Sequence, residues 1–158
     1  MLVSELMTRE PARASADERL SAAAGRMWEH DCGALPVVQD GRVVGMITDR
    51  DICMATWSRG LPPDAIEVIS AMSTRLVSCQ PTDTLEDVEK AMRSNQVRRL
   101  PVLSSDGRLV GIISLADIVT RAETTRSHDG NGLTTTLAGI CQPAASPKSM
   151  RASTLRAS

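Results

Sequence analysis

The chain has 158 residues, 42% of them hydrophobic, and a formal net charge of −1. That length suits one domain or two small halves sharing a core, and the near-neutral charge provides no global field for DNA or an anionic membrane surface. Trp28 and Trp57 are the only aromatic residues, so base recognition by stacked aromatic side chains is disfavoured and the interior must be built from Val, Ile, Leu, Met and Ala.

The opening "MLVSELMTRE" lacks a basic start followed by a long apolar stretch, so no secretory signal is expected. No run approaches the roughly 20 apolar residues of a membrane span. Ser15 and Glu18 have the spacing of a capping box. Leu20, Ala23, Ala24, Met27 and Trp28 follow at i, i+3, i+4, i+7 and i+8, which predicts a helix with an apolar stripe. The runs "LPVV" and "VVGMI" are rich in β-branched residues and flank Asp40-Gly41, a strong hairpin signal. Pro36 lacks an N–H and belongs at a strand start or a sheet edge. "TDRDI" (48–52) opens a further helix. "SRGLPPDAIEVISAMSTRL" (58–76) starts with a Gly/Pro break and is predicted to continue as a helix into Met72.

The grammar then recurs. Thr84 and Asp87 offer a helix start before Leu85, Val88 and Met92; "LPVL", with Pro101, and "LVGII" form a second hairpin around Asp106-Gly107; "SLADI" (114–118) opens the last helix. Beyond about Glu123 the chain is rich in Ser, Thr, Ala, Gly and Pro. Residues 126–158 read as a weakly ordered tail, in which Arg126, Lys148, Arg151 and Arg156 stand against Asp129, a net +3. An offset of 65 aligns "ALPVV" (34–38) with "RLPVL" (99–103), and after one extra residue an offset of 66 aligns "DGRVVGMITDRDI" (40–52) with "DGRLVGIISLADI" (106–118). Two copies are too few for a solenoid and indicate a pseudo-twofold pair. The division is residues 1–60 for the first copy, 61–125 for the second with its linker, and 126–158 for the tail.

The tandem copies, with "SELMTREPA" and "VISAMSTRLVS" leading them and "GALPVVQDGRVVGMITDRDI" and "VRRLPVLSSDGRLVGIISLADI" at their centres, resemble a pair of CBS domains, the module named after cystathionine β-synthase. The likeness covers roughly residues 1–125 and is greatest to stand-alone bacterial CBS pairs. It implies a mixed α/β (α+β) fold of two βαββα repeats with two clefts between them. It also implies adenosine-containing ligands (AMP, ADP or ATP, with S-adenosylmethionine or NAD as further members of the class), association into homodimers, and regulation rather than catalysis. No required cofactor is implied.

Thr48 with Asp51, and Ser114 with Asp117, carry two readings at once. A hydroxyl residue and an aspartate three places on cap a helix N-terminus. By the resemblance they are also the ligand pair: the aspartate accepts from ribose hydroxyls, and the hydroxyl residue meets phosphate. Arg98 and Arg99 are the phosphate candidates, because a guanidinium offers a planar fork of donors. The resemblance places backbone from Gly33 and Ala34 in the Ser114/Asp117 cleft, and backbone from Val77, Ser78 and Cys79 in the Thr48/Asp51 cleft. Where the second copy has "VRRLP" the first has "CGALP", without a cation, so the Asp117 cleft is expected to tolerate more phosphate charge.

The four cysteines (Cys32, Cys53, Cys79, Cys141) form no C-x-x-C motif and read as reduced thiols of a cytoplasmic protein. His30 and Cys32 lack paired ligands at metal spacing, so no metal site is expected. No G-x-S-x-G, P-loop or G-x-G-x-x-G motif is present, and no catalytic residue is assigned. The alternatives are a ligand-free protein-interaction scaffold with an unknown partner, and a redox or metal sensor using Cys32, Cys53 or Cys79. Nucleic-acid binding through the basic tail is not expected.

Overall fold

A computed structural model describes residues 1–124 of the chain; the tail at 126–158 lies outside the described residues. The elements are α1 (Val3–Leu6), β1 (Thr8–Arg9), β2 (Ala14–Ser15), α2 (Leu20–Glu29), β3 (Ala34–Gln39), β4 (Arg42–Thr48), α3 (Asp49–Arg59), α4 (Leu85–Asn95), β5 (Arg99–Leu103), β6 (Leu109–Ser114) and α5 (Leu115–Thr124). The architecture is the expected mixed α/β one, with two small sheets that each carry helices.

The apolar stripes form as their spacing requires. Leu20, Ala23 and Met27 of α2 are buried, as are Leu85, Val88 and Met92 of α4. Trp28 does not join them and is 88% exposed. At 3.6 residues per turn it stands about 80° around the helix from Leu20, on the flank of the stripe. The predicted capping box at Ser15 and Glu18 is also absent. Ser15 lies in β2, and α2 starts after Arg19 with no side-chain cap. Glu18 instead receives the Arg26 guanidinium at 2.6 and 3.0 Å. Thr84, which aligns with Arg19, does cap its helix: its Oγ1 accepts from the Asp87 N–H at 3.3 Å, and the Asp87 carboxylate accepts from the Thr84 N–H at 3.1 Å.

Both hairpins form where the Asp-Gly pairs predict. β3 and β4 pair antiparallel through a turn in which Asp40 (φ 51°) and Gly41 (φ 77°) are both left-handed, as a tight hairpin needs. β5 pairs with β6, and each hairpin carries an irregularity at the equivalent place, between Val37 and Val38 and between Val102 and Leu103.

The segment before the second repeat behaves differently from its sequence reading. Residues 66–72 form no α-helix; two short 3₁₀ turns, Pro63–Ala65 and Val68–Ser70, occupy the linker. Their backbone groups are already engaged with the first copy. The Val68 N–H donates to the Glu18 carbonyl and the Ile69 N–H to the Ala16 carbonyl, both at 2.9 Å, while the Leu20 N–H donates to the Ile66 carbonyl at 2.9 Å. A helix would have to give up these bonds. Ser73 then bridges Met46 of β4. The N-terminal leader makes the reciprocal arrangement: Thr8 and Arg9 pair with Ile112 and Gly111 of β6, and the Val3 N–H donates to the Asp83 carbonyl at 2.9 Å.

The leaders are therefore exchanged, and the cores record it. One core holds Leu20, Met27, Leu35, Val37, Ile47 and Ile52 together with Ile66 and Val68 from the second leader. The other holds Leu85, Met92, Leu100, Val102, Ile113 and Ile118 together with Val3 from the first. Each packed unit thus takes its leader from the other side of the 60/61 division. Glycine makes room for each visiting strand. A Cβ at Gly45 would collide with the Ser73 carbonyl oxygen, and one at Gly111 would stand 2.6 Å from the Met7 sulfur and 3.0 Å from the Thr8 carbonyl oxygen.

Candidate functional site

The last helix of each unit starts from the end of a glycine-bearing strand, and both starts are built alike. In the first, the Thr48 hydroxyl donates to Asp51 Oδ2 at 2.7 Å and accepts from the Asp51 N–H at 3.1 Å, while the Thr48 N–H donates to the same carboxylate oxygen at 2.9 Å. In the second, the Ser114 hydroxyl and N–H each donate to Asp117 Oδ2 at 2.7 Å, and the hydroxyl accepts from the Asp117 N–H at 3.3 Å. These are capping boxes: each satisfies helix N–H groups that have no intrahelical partner. All four residues are half-buried.

The surroundings of the two starts differ in one coordinated way. The Asp49 N–H donates to the Gly33 carbonyl at 3.2 Å, and the Leu115 N–H donates to the Arg98 carbonyl at 2.8 Å, so Gly33 and Arg98 hold equivalent places. In the first unit the glycine lies directly against an acid, since a Cβ there would be 3.0 Å from Asp49 Oδ2. In the second unit that acid is Leu115 and the glycine is Arg98. The register also sets Ala34 opposite Thr48 and Arg99 opposite Ser114. Thr48 thus sits among Asp49, Arg50 and Asp51, and Ser114 among Arg98, Arg99 and Asp117, so the local charge changes from net negative to net positive. Both arginines are exposed.

The structure thus brings Arg98 and Arg99 together with Ser114, and Gly33 and Ala34 together with Thr48. Val77 and Cys79 pack into the second core and Ser78 is exposed. The Cys79 N–H donates to the Pro101 carbonyl at 3.2 Å and its carbonyl accepts from the Leu103 N–H at 2.9 Å. Its backbone is therefore engaged in the sheet, and Val77 and Ser78 are the members of that trio with backbone not committed to this ladder. Burial pushes the Cys79 thiol up to about 12, with a smaller contribution from the Asp83 carboxylate.

A larger cavity, about 1690 Å³ and open to solvent, lies elsewhere, where the first leader crosses from one unit to the other. It is walled by residues 9–18, Arg26, the Asp40-Gly41 turn and Arg108–Val110. None of the sequence-assigned site residues lines it. Two of its arginines are paired in place: Arg26 with Glu18 at 2.6 Å and Arg108 with Asp106 at 2.9 Å. We assign it no ligand. The leader exchange that creates it has a faint sequence signal in Gly45 and Gly111, glycines inside otherwise regular strands. Among the described residues no cluster of three or more His, Cys, Asp or Glu is arranged to hold a metal ion, and no helix is long and apolar enough to cross a membrane.

Comparison with known proteins agrees with this architecture. The chain is 39% identical over 132 residues to the CBS domain-containing protein YhcV of Bacillus subtilis, covering 84% of this chain and 92% of that one. It is 40% identical over 102 residues to Hypoxic response protein 1 of Mycobacterium tuberculosis, covering 64% and 71%. A crystal structure of Hypoxic Response Protein I with two coordinated zinc ions matches with a TM-score of 0.70 and 35% identity over 76% of this chain and 98% of that one. The CBS domain pair of protein MJ0100, in complex with 5′-methylthioadenosine and S-adenosyl-L-methionine, shares the fold with a TM-score of 0.71 at 23% identity over 78% and 98%. With the CBS domain model matching twice, over residues 3–57 and 66–123, and two units whose helices and hairpins bury matching core residues, the chain belongs to the CBS domain family.

Proposed function

We propose that this chain is a non-catalytic regulatory module of the cytoplasm. In this reading it binds adenosine-containing ligands at the two helix starts, Thr48/Asp51 and Ser114/Asp117, and works as a homodimer. The aspartates accept from the ribose hydroxyls, charge-assisted hydrogen bonds worth about 1.5–3 kcal/mol each. The family likeness assigns Gly33 and Ala34 to the second cleft and Val77, Ser78 and Cys79 to the first, whereas Gly33 and Ala34 stand beside Thr48 and Cys79 is bonded into the second sheet, so the reading rests on the helix starts and the two arginines. AMP, ADP and ATP are the leading candidates, with S-adenosylmethionine and NAD in the same class. Ligand bridging both units would favour one arrangement of the pair over another by as much as its affinities for the two differ, and a partner protein would read the result.

One observation carries this reading: Arg99 stands opposite Ser114 in register, and Arg98 contacts the same helix start through its carbonyl. Capping alone explains the hydroxyl–aspartate pairs but not the replacement of Gly33 and Asp49 by Arg98 and Leu115. That replacement supports a phosphate at the second cleft, where an anion meets two guanidinium groups and a helix N-terminus. The adenosine ligands of the MJ0100 fold neighbour support the ligand class.

Isothermal titration with AMP, ADP, ATP, S-adenosylmethionine and NAD tests it. The variants are Asp51→Asn and Asp117→Asn, in which an amide oxygen can still accept the cap hydrogen bonds, and Arg99→Ala. We expect saturable binding, weakened at least tenfold by Asp117→Asn, with Arg99→Ala weakening ATP more than a ligand without phosphate. The scaffold reading is favoured by the caps being complete without ligand. It would prevail if no ligand bound and the variants changed stability alone. Binding that survived Asp117→Asn but vanished in Asp51→Asn would move the phosphate site to the first cleft.

A further inference from the structure

Between α2 and α3 of the first unit lies a second pocket, of about 490 Å³, whose wall includes both Cys32 and Cys53 together with Met27, Trp28, Asp49 and Ile52. The two thiols differ in access, since Cys53 is exposed on α3 and Cys32 is half-buried. Cys32 is held at the pocket by its N–H, which donates to the Met27 carbonyl at 2.9 Å at the end of α2. Its neighbour Gly33 lies against Asp49, where a Cβ would be 3.0 Å from Oδ2. Cys53 follows Asp49 by four residues, so it sits on the same helix face about one turn, or 6 Å, along. Cys32 lies in the loop between α2 and β3, outside both the helix and the strand ladder, so a movement there would strain its bond to the Met27 carbonyl but break no strand pairing. A bridge requires the two Cα atoms to come to about 4.4–6.8 Å of one another. Cys79 supplies an internal contrast: it is 6% exposed in the second core, an inert setting for a thiol.

We propose that Cys53 and Cys32 form a peroxide-responsive dithiol site, in which oxidation closes a disulfide across this pocket. The Cys53 thiolate attacks one oxygen of a hydroperoxide, the O–O bond breaks, and Cys53 becomes a sulfenic acid; the departing oxygen takes up a proton and leaves as water or an alcohol. The Cys32 sulfur then attacks the Cys53 sulfur, the S–O bond breaks, and the second oxygen leaves as water. Two thiols are oxidised and one peroxide is reduced. The exposed side of Cys53 admits a small oxidant. This inference does not depend on nucleotide binding.

The test uses the full, reduced chain treated with hydrogen peroxide, blocked with a maleimide, digested and mapped by mass spectrometry. The expected product is lighter by two hydrogens, contains linked Cys32 and Cys53 peptides, leaves Cys79 unmodified and reverts with dithiothreitol. Cys53→Ser should abolish the linked peptide. Cys32→Ser should leave Cys53 as a sulfenic acid that dimedone traps, with circular dichroism confirming that both variants remain folded. A bridge from Cys53 to Cys141 or to a second chain, or separate oxidation of both cysteines to sulfinic acids without a bridge, would overturn the proposal. So would unreacted thiols in the wild-type chain.

Discussion

A single atom, the Oδ2 of an aspartate, receives both the hydroxyl and the N–H of the residue three places before it in each unit, at Thr48/Asp51 and Ser114/Asp117. Thr84 and Asp87 repeat the motif at α4 in an exposed position. There the Thr84 hydroxyl, followed by the Thr84 N–H, holds the Asp87 carboxyl below its ordinary value of 3.8. A carboxylate depressed in the folded state contributes stability at pH values above its unfolded pKa and loses it as pH falls through the folded one. Acid should thus weaken the start of α4 only below about pH 4. Stability measured from pH 6 to pH 2 should fall less steeply in Asp87→Asn than in the wild-type chain, and an equally steep fall would place the acid sensitivity elsewhere. Candidate residues were legible in the sequence because a hydroxyl and an acid three apart is a local pattern. The opposition of Gly33 to Asp49, and of Arg98 to Leu115, was not legible, because it depends on how a loop meets a helix start across the sheet.

The helices and hairpins followed their sequence signals wherever the forces are local. The apolar stripe of α4 and the Asp40-Gly41 turn formed as predicted, because periodic burial and left-handed turn residues act over a few positions. The linker at 66–72 did not, since its hydrogen bonds go to residues 16–20, nearly fifty positions away, and tertiary pairing overrides helix propensity. The same pairing makes two glycines indispensable. Valine in place of Gly111 would push against the Met7 sulfur and the Thr8 carbonyl, an overpacking that costs about 1–3 kcal/mol. Valine at Gly25, where nothing lies within 4 Å of an added Cβ, should cost no more than about 1 kcal/mol. Urea unfolding of the two variants gives the comparison, and equal midpoints would remove the close approach of β1 from the account.

Across the molecule the exchange of leaders ties each core to the far end of the chain. Val3 is fully buried in the core of the second unit, and Val68, its counterpart 65 residues on, is fully buried in the first. Fully burying a valine contributes about 1.5–3 kcal/mol. A chain that begins at residue 10 should therefore loosen the second unit and spare the first. Hydrogen exchange should accelerate at Leu100, Val102 and Ile113 while Leu35, Val37 and Ile47 keep their protection. Uniform acceleration in both units would mean that the cores stand or fall together. One repeat, taken alone, carries a closing strand shaped for a hairpin that is not its own, and the nearest such hairpin belongs to another copy of the same repeat. A single repeat cut from this chain would meet that hairpin only in a twin, so what closes the sheet within one molecule here would become a bond between two.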